Sequence, residues 1–154
     1  MRAMLIEFSV ANYASFRARQ TLSMAAAPQL RKKENLFEVK LGKDKLPKLL
    51  KAVAIYGPNA SGKSNLLQAL EDLGKIVGNK PTTQEIPLNV SSFRFDKSLA
   101  DQPSEFEVHF VKDSCRYSYE LHATRERICL ERLIHYPNGV EKLLYHRERM
   151  ALGE

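Results

Sequence analysis

The chain has 154 residues, a formal net charge of +6 and two cysteines. That length supports one domain with a real core, and the apolar and charged fractions are ordinary for a soluble globular protein. No window approaches the roughly 18 consecutive apolar residues of a membrane span. Arg2 also places a charge too early for a signal peptide's apolar region, so the expected compartment is the cytoplasm.

In chain order, residues 4–10 (Met-Leu-Ile-Glu-Phe-Ser-Val) predict a first strand. Residues 18–24 predict a second, paired with it across Asn12-Tyr13-Ala14-Ser15-Phe16. Residues 25–48 are weakly patterned and read as a loop with short helical pieces. The charge excess sits here: residues 31–51 hold eight Lys or Arg against three acids. Such a cluster suits either a solvated loop or a nucleic-acid surface. Only Phe37 is available there for base stacking, which favours the solvated loop.

The run Leu49-Leu50-Lys51-Ala52-Val53-Ala54-Ile55-Tyr56 predicts a third strand, buried on both faces. Directly after it, residues 57–64 read Gly-Pro-Asn-Ala-Ser-Gly-Lys-Ser, a complete Gly-x-x-x-x-Gly-Lys-Ser phosphate loop. Gly57 and Gly62 permit backbone angles that a side chain would oppose, so the N–H groups can turn inward around an anion. Lys63 supplies a compact positive charge for the outer phosphates, and the Ser64 hydroxyl suits Mg²⁺, which prefers hard oxygen ligands. Leu66, Leu67, Leu70, Leu73, Ile76 and Val77 recur at helical spacing and predict a helix over about 63–77, with Gly78 as its stop. Its positive dipole end faces the same loop.

Residues 78–92 form a connector containing Pro81 and Pro87. From residue 93 the period changes to two. Phe106, Val108 and Phe110 alternate with Glu105, Glu107 and His109; Tyr117, Tyr119 and Leu121 alternate with Arg116, Ser118 and Glu120. Turns are expected at Lys112-Asp113-Ser114 and at Pro137-Asn138-Gly139, and the whole reads as an antiparallel β meander with one wet face. Cys115 shares parity with Tyr117 and Tyr119 and is expected as buried packing. His109, His122, His135 and His146 fall on different strands without metal spacing and are expected to face solvent.

Taken with the first strand and Asn12-Tyr13-x-Ser15-Phe16, the segment Ile55-Tyr56-Gly57-Pro58-Asn59-Ala60-Ser61-Gly62-Lys63-Ser64-Asn65-Leu66-Leu67 resembles the N-terminal lobe of ABC/SMC/RecF-type ATPases. More narrowly, the chain is similar to bacterial AAA-family ATP-binding proteins of the RloA and OLD/PtuA sort, through Phe93-Arg94-Phe95-Asp96, Pro103 to Val108, Tyr117 to Glu120 and Glu131-Arg132-Leu133. Members of that group often sit in anti-phage or restriction-associated operons.

The resemblance implies an α/β P-loop NTPase half-domain of the ABC type spanning 1–154. Residues 1–80 would hold the strands, phosphate loop and helix, and residues 93–149 an antiparallel β subdomain. It implies that Asn59, Ala60, Ser61, Gly62, Lys63, Ser64 and Asn65 contact the triphosphate of ATP, that Ser64 holds Mg²⁺, and that Ser15 and Phe16 approach the nucleotide. Ala60 stands where many relatives have Gly. Guanine specificity is disfavoured, since Asn79-Lys80-Pro81-Thr82 ends in Thr rather than Asp.

Hydrolysis also needs an acid on the metal and a group positioning water. Neither a Walker B strand nor an ABC signature follows residue 65; Phe110-Val111-Lys112-Asp113 comes nearest but lies in an alternating strand. In the resembled family both belong to a C-terminal lobe. The expectation is therefore ATP binding by a lobe that another part of the protein, or a second copy, completes, with Lys63 serving catalysis only then and an effector protein attached. Without that lobe, exposed apolar surface should leave this one poorly stable or self-associating. The alternative is a non-hydrolysing nucleotide-binding or assembly module that contacts nucleic acid through 31–51.

Overall fold

The computed structural model describes residues 3–30, 32–39, 41, 46–78 and 87–149. Strand β1 (Met4–Ala11) pairs antiparallel with β2 (Gln20–Ser23), as the alternation predicts. The period-two region forms β5 (Ser104–Lys112), β6 (Cys115–Ala123), β7 (Ile128–Tyr136) and β8 (Lys142–Glu148), each antiparallel to the next. The short β3 (Leu36–Phe37) and β4 (Leu49–Leu50) pair with each other. One helix, α1, covers Lys63–Gly78.

The turns follow residue chemistry. Asp113 and Ser114 both take positive φ (50° and 58°), the geometry of a tight two-residue hairpin whose twist matches its strands. Asn138 and Gly139 do the same between β7 and β8.

Sheet order is β2-β1-β5-β6-β7-β8. The β1–β5 ladder sets Phe8 opposite Val108 and Val10 opposite Phe106, a pairing almost one hundred residues apart that no local pattern announces. Helix α1 lies on this face. Phe8, Val10, Tyr13, Phe106, Leu121 and Ala123 from the sheet side enclose Ala69 and Leu73 of the helix. A register slip between Leu5 and Glu7 turns Ile6 to the opposite face, where it packs with Val111, Leu41 and Leu49. That smaller cluster fastens the β3–β4 pair to the back of the sheet.

One expectation fails. The third strand was expected over 49–56, buried on both faces, but only Leu49 and Leu50 enter a ladder. Residues 52–57 have no strand partner, and 51–60 are exposed, with Tyr56 93% exposed. The physical reason is that a strand exists only by pairing. Among the described residues every ladder is antiparallel, so no parallel neighbour flanks this run.

Two buried polar groups tie the helix and turns to the sheet. Asp72 on α1 is 2% exposed and accepts hydrogen bonds from Tyr13 Oη (2.6 Å), Asn89 Nδ2 (2.7 Å) and Gln68 Nε2 (2.9 Å). Three donors satisfy a carboxylate that burial would otherwise penalise heavily. Burial, with Asp72 beside it, pushes the Tyr13 phenol far above its ordinary range, so Tyr13 stays a donor. Asn12 donates Nδ2 to the carbonyls of Leu99, Gln102 and Pro103 and accepts from Phe93 N–H, knitting the residues before β5 onto the end of β1.

Candidate functional site

The phosphate loop leaves the exposed run 52–57 and ends where α1 begins, at Lys63. Gly62 takes φ +89°, and Ala60 takes φ +62° despite its side chain. Glycine at 62 is required twice over. A Cβ there would lie 2.6 Å from Phe16 Cε1, and the backbone angle itself disfavours a side chain. Ala60 thus holds a left-handed angle that favours glycine.

Lys63 Nζ donates to Gly57 O (2.9 Å), Pro58 O (2.7 Å) and Ser61 Oγ (3.3 Å). These bonds arch the lysine over its own loop and hold the ammonium at the loop's concave side. Leu66 N–H donates to Gly62 O at 3.0 Å. The N–H groups of Lys63, Ser64 and Asn65 therefore precede the helix's own ladder and point out of its N-terminus. The Lys63 ammonium, three such N–H groups and the helix dipole place positive charge and free donors at the start of α1.

The β1–β2 turn supports the loop from the side. Asn65 Nδ2 donates to Ser15 Oγ at 2.7 Å, and the Phe16 ring packs against Gly62. Ser15, Phe16, Gly57, Ser61, Gly62, Lys63 and Asn65 are thus brought into one cluster. Ser64 is exposed and its hydroxyl makes no hydrogen bond among the described residues, so it is free to take a metal. Asn59 is exposed, with no side-chain bond among the described residues.

For a triphosphate the donor set fits: the Lys63 ammonium and backbone N–H groups stand at the loop, and among the described residues no carboxylate bonds to it. For Mg²⁺ the fit is partial. Ser64 supplies one hard oxygen, whereas Mg²⁺ is usually also held through one or two carboxylates. Among the described residues, no group of three or more His, Cys, Asp or Glu could hold a metal. The helix's own Asp72 is occupied by its three donors.

The other candidates sit elsewhere. On the sheet's outer face, His109 Nε2 lies 2.8 Å from Glu107 and His122 Nε2 lies 2.9 Å from Glu120. His146 lies 3.6 Å from Glu148. His135 sits on the helix-facing side next to the Tyr117 ring, 6.1 Å between centroids, rather than toward open solvent. Cys115 is half-buried, less enclosed than expected. Of the basic segment, Arg31, Lys40, Lys43 and Lys45 lie outside the described residues. Lys48 pairs with Glu38 at 2.6 Å, and Lys51 donates to Glu34 O while covering the Phe37 ring at 5.5 Å. The acid nearest to a Walker B reading, Asp113, is the first residue of a hairpin turn.

A comparison with protein families matches residues 52–152 to the family described as "AAA domain, putative AbiEii toxin, Type IV TA system". The chain belongs to this AAA-domain family. The match opens five residues before Gly57 and takes in the whole phosphate loop, α1 and the meander. Membership ties the chain to nucleotide binding and ATPase-like chemistry. No curated protein and no solved structure matches the chain. Among the described residues no helix is long and apolar enough to cross a membrane.

The sequence reading quoted Asn12 within Asn12-Tyr13-x-Ser15-Phe16 but gave it no role of its own, and it did not find Asp72. The one available signal for Asp72 was the acid pair Glu71-Asp72 inside the stretch Leu66–Val77, where a core-facing position would carry Leu or Ala.

Proposed function

We propose that this AAA-family chain binds Mg²⁺-ATP through residues 57–65, as the N-terminal part of an ABC/SMC-like ATPase. The observation that carries the reading is the loop itself: Lys63 held at its concave side while the first three N–H groups of α1 point outward. Gly57, Asn59, Ala60, Ser61 and Gly62 would hold the phosphates, and Lys63, now bonded to the loop carbonyls, would supply its positive charge to them. Ser64 is the chain's ligand for the metal, which when bound neutralises phosphate charge. Ser15 and Phe16 fix the loop from the β1–β2 turn and stand beside the nucleotide.

Turnover is assigned to a complete assembly. The metal-side acid and the water-positioning group come from a C-terminal lobe, a partner chain or a second copy, because no described carboxylate faces the loop. Two apolar features support such a cover. Val53, Ile55 and Tyr56 are exposed in a run that has no strand neighbours among the described residues. An open, almost wholly apolar groove of about 380 Å³ lies between α1 and the sheet, lined by Leu70, Leu73, Val77, Val108, Phe110 and Leu133 among others. The biological setting we propose is a defence or toxin–antitoxin module in the cytoplasm, in which ATP-driven association of these domains controls an effector. Contact with nucleic acid through 31–51 is a lesser possibility, since Lys48 and Lys51 already have partners within the chain.

The test measures Mg²⁺-ATP binding and turnover for the full chain and for Lys63→Ala. The expected result is saturable ATP binding that weakens at least about tenfold in the variant, as loss of a charge-assisted contact implies. Equal affinity of both proteins, or no binding to either, would sink the proposal. Binding without turnover marks the non-hydrolysing module as the activity of this chain alone.

A further inference from the structure

A second polar pocket lies across the β1–β2 turn from the phosphate loop. Its volume is about 280 Å³, and Ser91, Ser92, Arg94, Ala100, Gln102, Ser104, Ala123, Thr124 and Arg125 contribute to its lining along with Val90. It holds two arginines and no acid. Neither guanidinium makes an ion pair or hydrogen bond among the described residues, although most other arginines near the sheet do: Arg17 pairs with Asp96, Arg19 with Glu107, Arg132 with Glu120 and Arg147 with Glu131. Two arginines without a partner among the described residues, beside one acid-free concavity, leave both guanidinium forks available to an anion.

The walls are pre-formed. Thr124 Oγ1 accepts from the N–H groups of Glu126 and Arg127, which sets the β6–β7 turn. Leu88 N–H donates to Arg125 O at 2.7 Å, tying that turn to the segment that carries Arg94. Ser92 Oγ donates to Ala100 O at 3.0 Å, and Asn12 holds the 93 and 99–103 segments together. With those hydroxyls engaged, and Ser104 Oγ donating to Asn12 O, four donor groups remain for a ligand: Arg94, Arg125, the Ser91 hydroxyl and the Gln102 amide.

We propose that this pocket binds a small phosphate-bearing anion, at a site separate from the nucleotide loop. A planar carboxylate offers two oxygens, which one guanidinium fork already satisfies. A tetrahedral phosphate offers enough oxygens for forks arriving from two separate segments, with the serine hydroxyl and the amide on the remainder. The volume is below the range of drug-sized sites and suits a single phosphate with a small substituent. The site communicates with the phosphate loop through one turn: Ala14 N–H donates to Ser91 O at 2.8 Å, and the next residue, Ser15, accepts from Asn65. This inference does not depend on ATP binding at 57–65.

Titration of the full chain with inorganic phosphate, followed by NMR of arginine Nε–H and backbone amide signals, tests it site by site. Saturable shifts are expected at the side chains of Arg94 and Arg125 and at the amides of Thr124 and Gln102. Each of Arg94→Gln and Arg125→Gln should weaken that binding at least about tenfold. In the double variant these shifts should vanish while phosphate-induced shifts at Gly62 and Lys63 persist. The two arginines are exposed, so unchanged dispersion of the remaining amides verifies that the variant folds. No saturable shift at the two guanidiniums, or shifts that survive the double substitution, would overturn the site. Tighter binding of succinate than of phosphate would overturn the ligand class.

Discussion

The phosphate-loop segment 51–62 and the six-stranded sheet are opposite solutions to the same chain. In the sheet, each strand's backbone is paired along its length, and Phe8, Phe106 and Leu121 are fully enclosed. In the loop segment the backbone before Gly57 has no ladder, Tyr56 stands in solvent, and the bonds that shape the loop run from one movable lysine. The sheet derives its geometry from packing, and the loop from glycine angles and a few polar contacts. A structure held by packing resists change. One held by replaceable polar contacts can give them up to a ligand, and that is the property a phosphate site needs.

The largest test of this contrast pairs Phe8→Ala with Tyr56→Ala. Phe8 is 0% exposed and packs between Val10, Phe106 and α1, so its removal should cost about 3–5 kcal/mol by urea unfolding. Tyr56, although equally aromatic, should cost less than about 0.5 kcal/mol. Comparable losses at the two sites would mean that the 52–57 run is packed in solution and that the contrast is wrong.

Next in size is Asp72→Ala, which sharpens the comparison because it asks whether α1 belongs to the sheet or to the loop. The substitution leaves Tyr13 Oη, Asn89 Nδ2 and Gln68 Nε2 without their acceptor, for an expected loss of about 2–4 kcal/mol. Helix and sheet should melt together. A variant whose helix signal is lost first, with the sheet intact, would show that α1 is only weakly part of the core.

How much of this was legible beforehand follows the same division. The turn at 57–62 and the start of the helix were readable from spelling, since Gly62 takes the positive φ expected of it and α1 opens at Lys63. The meander was readable because Phe106-Val108-Phe110 and Tyr117-Tyr119-Leu121 write their period directly. The β1–β5 ladder was not, because long-range register leaves no local trace. The 52–56 strand was misjudged for a related reason: Val53 and Ile55 have the composition of a buried strand, but composition states only what a segment would do beside a neighbour. Ser15 and Phe16 entered through resemblance alone. Their contact with Asn65 and Gly62 is a tertiary fact.

A smaller effect is expected at Gly62→Ala. The new methyl meets the Phe16 ring at a backbone angle of φ +89°, so strain of about 1–3 kcal/mol should fall on the loop and the β1–β2 turn. Hydrogen exchange should rise at residues 13–16 and 60–66 and stay unchanged in β5–β7. Loosening that spreads into β5–β7 would break the claimed separation of loop from sheet.

The smallest effect lies on the outer face of the sheet and is a matter of pH. Glu107 stands directly across from Glu120, an unfavourable like-charge pair, but each has an arginine and a histidine beside it: Arg19 and His109 for Glu107, Arg132 and His122 for Glu120. Burial works to raise the Glu107 carboxyl, yet the bonds from Arg19 and His109 outweigh it and hold Glu107 below its ordinary value. A depressed carboxylate binds its proton less readily folded than unfolded. Its contribution is therefore present above the unfolded value, near 4.5, and disappears as pH falls through the lower folded value. With the pair partly solvated, the contribution should be no more than about 1 kcal/mol. Urea midpoints for the parent chain and Glu107→Gln should differ by that amount at pH 7 and converge toward pH 3. A difference that persists undiminished at pH 3 would assign the effect to packing of the side chain instead of its charge. Because the ladder lies on the face away from α1, the same substitution should leave the ATP affinity proposed for 57–65 unchanged; a shift there would show that the two regions are coupled through the sheet.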